Sequence, residues 1–203
     1  MKLYFIRHGK TIGNMREVYI GSTDQPLCEE GKKELVQRQY KSAERLFVSP
    51  MKRCIETADI IFHNQPYKVI EDLRECDFGD FEEKGYEELK DDPRYKAWRK
   101  SERKLPFPNG EHVDRFKERC QRAFIKVIEE NRDKSSLAFV VHGGVIMAIL
   151  ECYGLPKKTF YEYKVKNGEG FQAVYDQSEK KIVQIEPIVQ IRWDKNTELL
   201  HFE

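Results

Sequence analysis

Neither sign of charge dominates this chain: 36 Lys and Arg stand against 35 Asp and Glu, a formal net charge of +1. That balance argues against nucleic acid or an anionic membrane as the main partner and confines any anion site to a local cluster of cations. Long apolar runs are missing as well. The amino-terminal run, Leu3 to Ile6, ends at Arg7, far short of a signal peptide or a membrane span, so the cytoplasm is the expected location. Cysteine pairing is also lacking. Cys28, Cys54, Cys76, Cys120 and Cys152 are scattered, odd in number and without metal-ligand spacing, which points to free thiols in a reducing compartment. A catalytic thiol at Cys54 or Cys76 is the alternative reading. There is no repeat, low-complexity tract or linker. What remains is 39% hydrophobic and 35% charged over 203 residues, enough for one well-buried core in a single domain spanning residues 1–203, with a subordinate cap.

The apolar residues Leu3 to Ile6, bounded by charge, predict a central strand covered on both faces. Arg7-His8-Gly9 then places a fixed cation and an imidazole at a carboxyl-terminal strand edge, where open α/β sheets bind ligands. Thr11 and Asn14, one turn onward, can aim donors at the same anion. The alternative is a strand that exits to solvent through polar residues. After a polar loop from Gly13 to Gln25, the pattern predicts a helix from Cys28 to Ala43 with Leu35, Val36 and Tyr40 as its apolar stripe. Arg45 to Val48 reads as a strand and Met51 to Phe62 as a helix. Arg53 in the first turn of that helix opposes the macrodipole unless an anion lies between them; the alternative is a surface arginine paired with Glu56 or Glu44. A weak strand at Val69-Ile70 leads to Glu75. Residues 82–111 are charged but carry Tyr86, Leu89, Tyr95 and Trp98, as suits a helical cap over a pocket. Glu111 to Asn131 is a long amphipathic helix. Leu137 to Val141 is the clearest buried strand, followed by His142-Gly143-Gly144 and an apolar helix from Val145 to Tyr153. From Phe160 on, Tyr161, Tyr163 and Val165, and later Ile182 to Ile191, alternate as edge strands or hairpins.

Two histidines at the ends of two buried strands meet if those strands are parallel. With Arg7 and Arg53 beside them, the pocket would match a phosphoryl group better than a carboxylate or a neutral ligand. A neutral imidazole can attack phosphorus, a role assigned to His8. Arg7, Arg53 and His142 would hold the equatorial oxygens during in-line transfer. A carboxyl with a raised pKa must protonate the leaving oxygen, and Glu75 is the candidate, against the alternative of an ordinary loop carboxylate. Use of His8, His142 and Glu75 as metal ligands competes with this, but arginines among them would repel a divalent cation. His63, His112 and His201 have no such setting and read as surface or loop residues.

These residues resemble the histidine phosphatase superfamily, the phosphoglycerate mutase-like family. The likeness runs through Arg7 to Asn14, Gly21 with Asp24, Pro26-Leu27, Gly31, Ser49 to Ala58, Leu73-Arg74-Glu75, Phe78 to Glu82 and Val141 to Gly144. It implies a three-layer α/β/α sandwich with a mostly parallel sheet, a phosphohistidine intermediate on His8, a phosphate pocket of Arg7, Arg53, His142 and Asn14, and Glu75 as proton donor. Gly21 and Gly143, within the matched stretches, complete the substrate-binding candidates. It implies no metal and no organic cofactor, and a small phosphorylated metabolite as partner. Within the superfamily the chain most resembles the α-ribazole phosphatase branch of cobalamin biosynthesis, through Tyr95-Lys-Ala-Trp98, Pro108-Asn-Gly-Glu111 with Phe116 and Arg119, and Tyr163-Lys-Val165 with Asn167-Gly168. Lys10, Glu83 and Met147 depart from the common pattern and bear on substrate preference, Lys10 by adding charge beside the pocket mouth. A broad small-metabolite phosphatase, a phosphoglycerate mutase and an inactive phosphate-binding or interaction module are the other readings, and either a monomer or a homodimer is compatible with the sequence.

Overall fold

The computed structural model describes residues 1–188. Among them six strands, β1 (Lys2–Arg7), β2 (Arg45–Val48), β3 (Tyr67–Val69), β4 (Ser136–Val141), β5 (Gly170–Asp176) and β6 (Lys181–Pro187), form one sheet in the order β3-β2-β4-β1-β5-β6. The first four are mutually parallel, and β5 and β6 are antiparallel to their neighbours. The helices are α1 (Ile12–Met15), α2 (Glu29–Val36), α3 (Lys52–Ile61), α4 (Tyr86–Leu89), α5 (Pro93–Lys100), α6 (Val113–Glu130) and α7 (Gly143–Tyr153).

Strand periodicity decides the layers. Successive side chains of a strand face opposite ways, so a run that is apolar throughout must be covered twice. Tyr4 and Ile6 of β1 join Leu46, Val48, Ala138 and Val140 under Cys54 and Ala58 of α3. Leu3 and Phe5 join Phe47, Leu137, Phe139 and Val141 on the other face, under α6 and α7. The result is the expected three-layer α/β/α arrangement. Across that second face, parallel register aligns Phe47, Phe139 and Phe5, whose rings stack at 5.4 Å on both sides of Phe139. Such a row fixes register, because a one-residue slip would turn every ring to the opposite face.

The cap follows from its aromatics. Leu89 of α4 and Tyr95 and Trp98 of α5 pack on Phe81 and Phe107, continuous with the α6 and α7 core. Asp92 caps α5 through the Arg94 amide and Pro93 opens it, the residue types a helix start favours. Ion pairs of Arg94 with Asp80 and Asp92 cover its outer side.

Two expectations need correction. The helix expected from Cys28 to Ala43 stops at Val36, which is 72% exposed rather than part of an apolar stripe. Beyond it Arg38 donates to the Asn167 carbonyl at 3.2 Å and Tyr40 to that of Gly168 at 2.8 Å, so tertiary bonds draw the chain off the helical path. Tyr161 and Tyr163 lie in a single 3-10 turn, Phe160–Tyr163, because Thr159 and Glu162 form a capping box that overrides the alternation. β6 takes up the stretch after Ile182 as far as Pro187, while the part of that expected strand from residue 189 onward lies outside the described residues, as does His201.

Candidate active site

Register brings the two histidines together. Arg7 pairs with Val141, so His8 and His142, the next residue on each strand, leave the sheet at the same edge. The His8 amide donates to the Val141 carbonyl at 3.0 Å, and the two imidazoles sit edge to face with centroids 5.1 Å apart. His8 is 4% exposed and His142 is fully buried.

Each ring has an assignable tautomer. His8 Nδ1 lies 2.7 Å from the Gly9 carbonyl, which can only accept, so Nδ1 carries the proton and Nε2 keeps its lone pair. Burial, with the charges of Arg53 and Arg7, drives the His8 pKa well below the usual histidine value, which holds the ring neutral. The Gly9 amide in turn donates to Thr57 Oγ1 at 2.9 Å, and that hydroxyl donates to the Arg53 carbonyl at 2.6 Å, which ties the His8 turn to α3. In His142, Nδ1 accepts from Arg53 Nε at 3.3 Å, so Nε2 carries the proton and donates to Ser49 Oγ at 2.7 Å. His142 is likewise held neutral by burial and by Arg53.

The two arginines differ. Arg7 Nη1 donates to the Val165 carbonyl at 2.8 Å, while its buried Nε has no hydrogen-bond partner among the described residues. A donor left unsatisfied in a desolvated site costs about 1–3 kcal/mol, so a bound anion would relieve it. A Cβ built at Gly143 would come within 3.5 Å of this Nε, and the glycine leaves that space open. Arg53 is fully buried, which rules out the surface ion pair considered for it. Its fork holds the loop before it: Nη1 donates to the Thr23 carbonyl at 2.8 Å and Nη2 to that of Gly21 at 2.7 Å. With the bond to His142, three of its five N–H groups are used and its charge stays beside His8. Cys54 Sγ lies 3.5 Å from His142 Nε2, but burial pushes its pKa up to about 12, so it is a thiol and a poor nucleophile. Burial likewise raises the Cys76 pKa.

Glu75, in the turn after β3, lines with Arg7, Gly143 and Gly144 a cavity whose lining does not include His8, His142 or Arg53. Its Oε2 accepts the Gly144 amide at 3.0 Å and its Oε1 the Cys76 amide at 3.0 Å. Burial raises its pKa against the opposing pull of those amides and of Arg53 and Arg7. A Cβ at Gly144 would stand 2.3 Å from Oε1, so glycine is what lets the carboxyl reach the start of α7.

The remaining candidates divide. Asn14 lines a cavity of about 350 Å³ together with Arg7, Glu75, Gly143, Gly144 and Met147. Thr11 is not aimed at that space; it is fully buried, and its hydroxyl caps α1 by accepting the Asn14 amide at 3.2 Å. The Gly21 amide meets the Glu82 carboxylate at 3.0 Å. Lys10 does not line the cavity mouth as expected, because Glu30 and Glu34 of α2 draw it away at 3.0 and 2.6 Å. Glu83 has a φ of 60°, a left-handed conformation that glycine adopts without strain, which explains why glycine suits that position. His63 is exposed, and His112 Nδ1 caps α6. Among the described residues no group of three His, Cys, Asp or Glu side chains is arranged to hold a metal ion, and no helix is long and apolar enough to cross a membrane.

Two supporting residues had no role in the sequence reading. Ser49, the last residue before Pro50, fixes His142. Asn167 bridges the Asn14 Oδ1 at 3.0 Å and the carbonyls of His8 and Gly9 at 3.2 and 3.3 Å. Its place beside Gly168 was visible, but its bonds cross more than 150 residues of sequence, a distance that local pattern does not encode.

The family model for the histidine phosphatase superfamily, branch 1, matches residues 3–186. The chain belongs to that superfamily. An adenosylcobalamin/alpha-ribazole phosphatase of Salmonella typhimurium is 28% identical over 83% of this chain and 87% of its own length. The crystal structure of the alpha-ribazole phosphatase from Shigella flexneri superposes with a TM-score of 0.79 at 26% identity, covering 90% of this chain and 93% of that one. That of a phosphoglycerate mutase from Thermus thermophilus gives 0.70 at 26% identity, covering 96% and 100%. The similar proteins thus carry the names of two activities, a phosphatase and a mutase.

Proposed function

We propose that this histidine phosphatase hydrolyses phosphomonoesters through a phosphoryl group carried on His8, and that α-ribazole 5'-phosphate is its substrate. The observation that carries the chemistry is the His8 tautomer: with Nδ1–H committed to Gly9, the Nε2 lone pair is free to attack phosphorus. The unpartnered Arg7 Nε and the charge of Arg53 stabilise the equatorial oxygens as charge builds on them. As the bond from phosphorus to the ester oxygen breaks, Glu75 gives its proton to that oxygen and the alcohol departs. A water then attacks the phosphohistidine, loses its proton to the Glu75 carboxylate, and phosphate leaves as His8 is restored. Asn14 and Gly143 border the transferred group. His142 and Gly21, whose polar groups are engaged with Ser49, Arg53 and Glu82, serve from behind by holding Arg53 in place.

The far end of the cavity supports the substrate choice. Tyr19, Phe78, Trp98, Phe107 and Tyr161 line it together with Arg103 and Lys164, and the rings offer the planar benzimidazole base of α-ribazole a stacking surface that a phosphoglycerate would leave unused. The test is kcat/KM, with chelator present, for α-ribazole 5'-phosphate beside sugar phosphates, phosphoglycerates and p-nitrophenyl phosphate. The expected preference is about a hundredfold, roughly 2.7 kcal/mol of differential transition-state binding. Comparable values across the panel would remove the substrate assignment and leave the chemistry standing.

A further inference from the structure

We infer that Arg119 is the positioning residue for the proton donor, clamping the turn that carries Glu75 from a place outside the cavity. This rests on the reading of Glu75 as the acid. Arg119 belongs to α6, is 6% exposed and does not line the cavity. All five of its N–H groups are used. Nη1 donates to the carbonyls of Asp72 and Arg74, both at 2.8 Å, and Nη2 donates to that of Glu75 at 2.9 Å. Nε and Nη2 together grip the Glu111 carboxylate at 2.7 and 2.8 Å.

The turn needs such a clamp. After the single 3-10 turn Glu71–Leu73, the chain from Arg74 to Phe78 has no helix or strand to satisfy its carbonyls. One planar fork replaces that missing ladder over the residue whose carboxyl must reach the Gly144 amide. Lysine has three donors and no fork, so it cannot reproduce three carbonyl bonds and a bidentate pair. Glu111 ties the other end of the clamp to the close of the cap, since its own amide donates to the Asp77 carbonyl at 2.9 Å. The charge of Arg119 is spent on Glu111, so its effect on the acid is one of position.

The test compares Arg119→Lys with the unaltered chain on p-nitrophenyl phosphate, whose leaving group departs without a proton, and on an alkyl phosphate, which needs one. The loss in kcat/KM, which reports the step that expels the alcohol, should be roughly tenfold greater on the alkyl ester than on the nitrophenyl ester. Competitive inhibition by inorganic phosphate should hold within about twofold, because the phosphate-binding groups are untouched. In a Glu75→Gln background the same change should add no further loss on the alkyl ester. Glu111→Gln, which keeps the carbonyl bonds and the side-chain volume, should show the same bias at about threefold and carries the comparison if Arg119→Lys does not fold. Equal losses on both esters, or additivity with Glu75→Gln, would overturn the inference. An unaltered chain that turns over neither ester would instead overturn the proposed function, a separate outcome.

Discussion

The floor of the site and its cap are built by different means. The floor, at the ends of β1 and β4, is fixed by backbone: sheet register sets His8 against His142, and each ring nitrogen with a partner faces a carbonyl, a hydroxyl or a guanidinium. The cap is fixed by rings. Tyr95 and Trp98 stack at 5.8 Å, Trp98 and Phe107 approach at 5.1 Å, and Arg103 lies 4.8 Å over Tyr161. Hydrogen bonds demand particular atoms at particular places, whereas ring packing tolerates exchange of one apolar group for another. On the proposed function, the floor carries the chemistry, and the cap is free to carry the preference for one leaving group.

If that division is right, His8→Ala should show the largest effect, a fall in kcat of about a thousandfold or more on every ester. A selective loss on one ester would break the division. Glu75→Gln comes next. On alkyl esters kcat/KM should fall about a hundredfold or more, with a much smaller fall in kcat/KM on p-nitrophenyl phosphate. Steady-state kinetics on both esters checks it, and equal losses would remove Glu75 as the acid. Third, Trp98→Phe in the cap should cost about tenfold in kcat/KM for α-ribazole 5'-phosphate while p-nitrophenyl phosphate turnover stays within about twofold. The reverse pattern would move the preference to the floor.

The smallest effect concerns pH. His8 and His142 are held neutral in the folded chain, with pKa values below the usual histidine value, mainly by burial. The unfolded chain binds protons at those imidazoles below about pH 6.5 and the folded one does not, so stability falls as pH drops through that range. The fall should be at most about 1.4 kcal/mol per pH unit for each ring. Melting curves between about pH 7.5 and 5 should be flatter for His8→Asn than for the unaltered chain; parallel curves would contradict the buried neutral ring.

The same contrast explains what could be read in advance. The meeting of Arg7-His8-Gly9, Arg53 and His142-Gly143-Gly144 was legible because these residues sit at strand ends and helix starts, where residue type and local pattern coincide, whereas Glu75, in an irregular turn, had no such local signal. That β1 is covered on both faces and β4 is buried was legible from their all-apolar runs, while the three-layer sandwich itself followed from the family resemblance. The early stop of α2 was not, because it depends on Arg38 and Tyr40 reaching the backbone of residues 167 and 168. Nor was the orientation of Thr11, whose hydroxyl serves a helix cap in place of a ligand. Lys10 misled for a similar reason: proximity along the chain to His8 said nothing of the two carboxylates on α2 that claim it.

The most direct test of a phosphoryl group carried on His8 is the stereochemistry at phosphorus. With a phosphorothioate monoester made chiral at phosphorus by sulfur and two oxygen isotopes, and hydrolysed in water of the third isotope, two successive in-line displacements, first by His8 and then by water, yield inorganic thiophosphate of retained configuration. Retention is the expected result. Inversion would mean that water attacks the ester directly, and it would contradict His8 as the nucleophile.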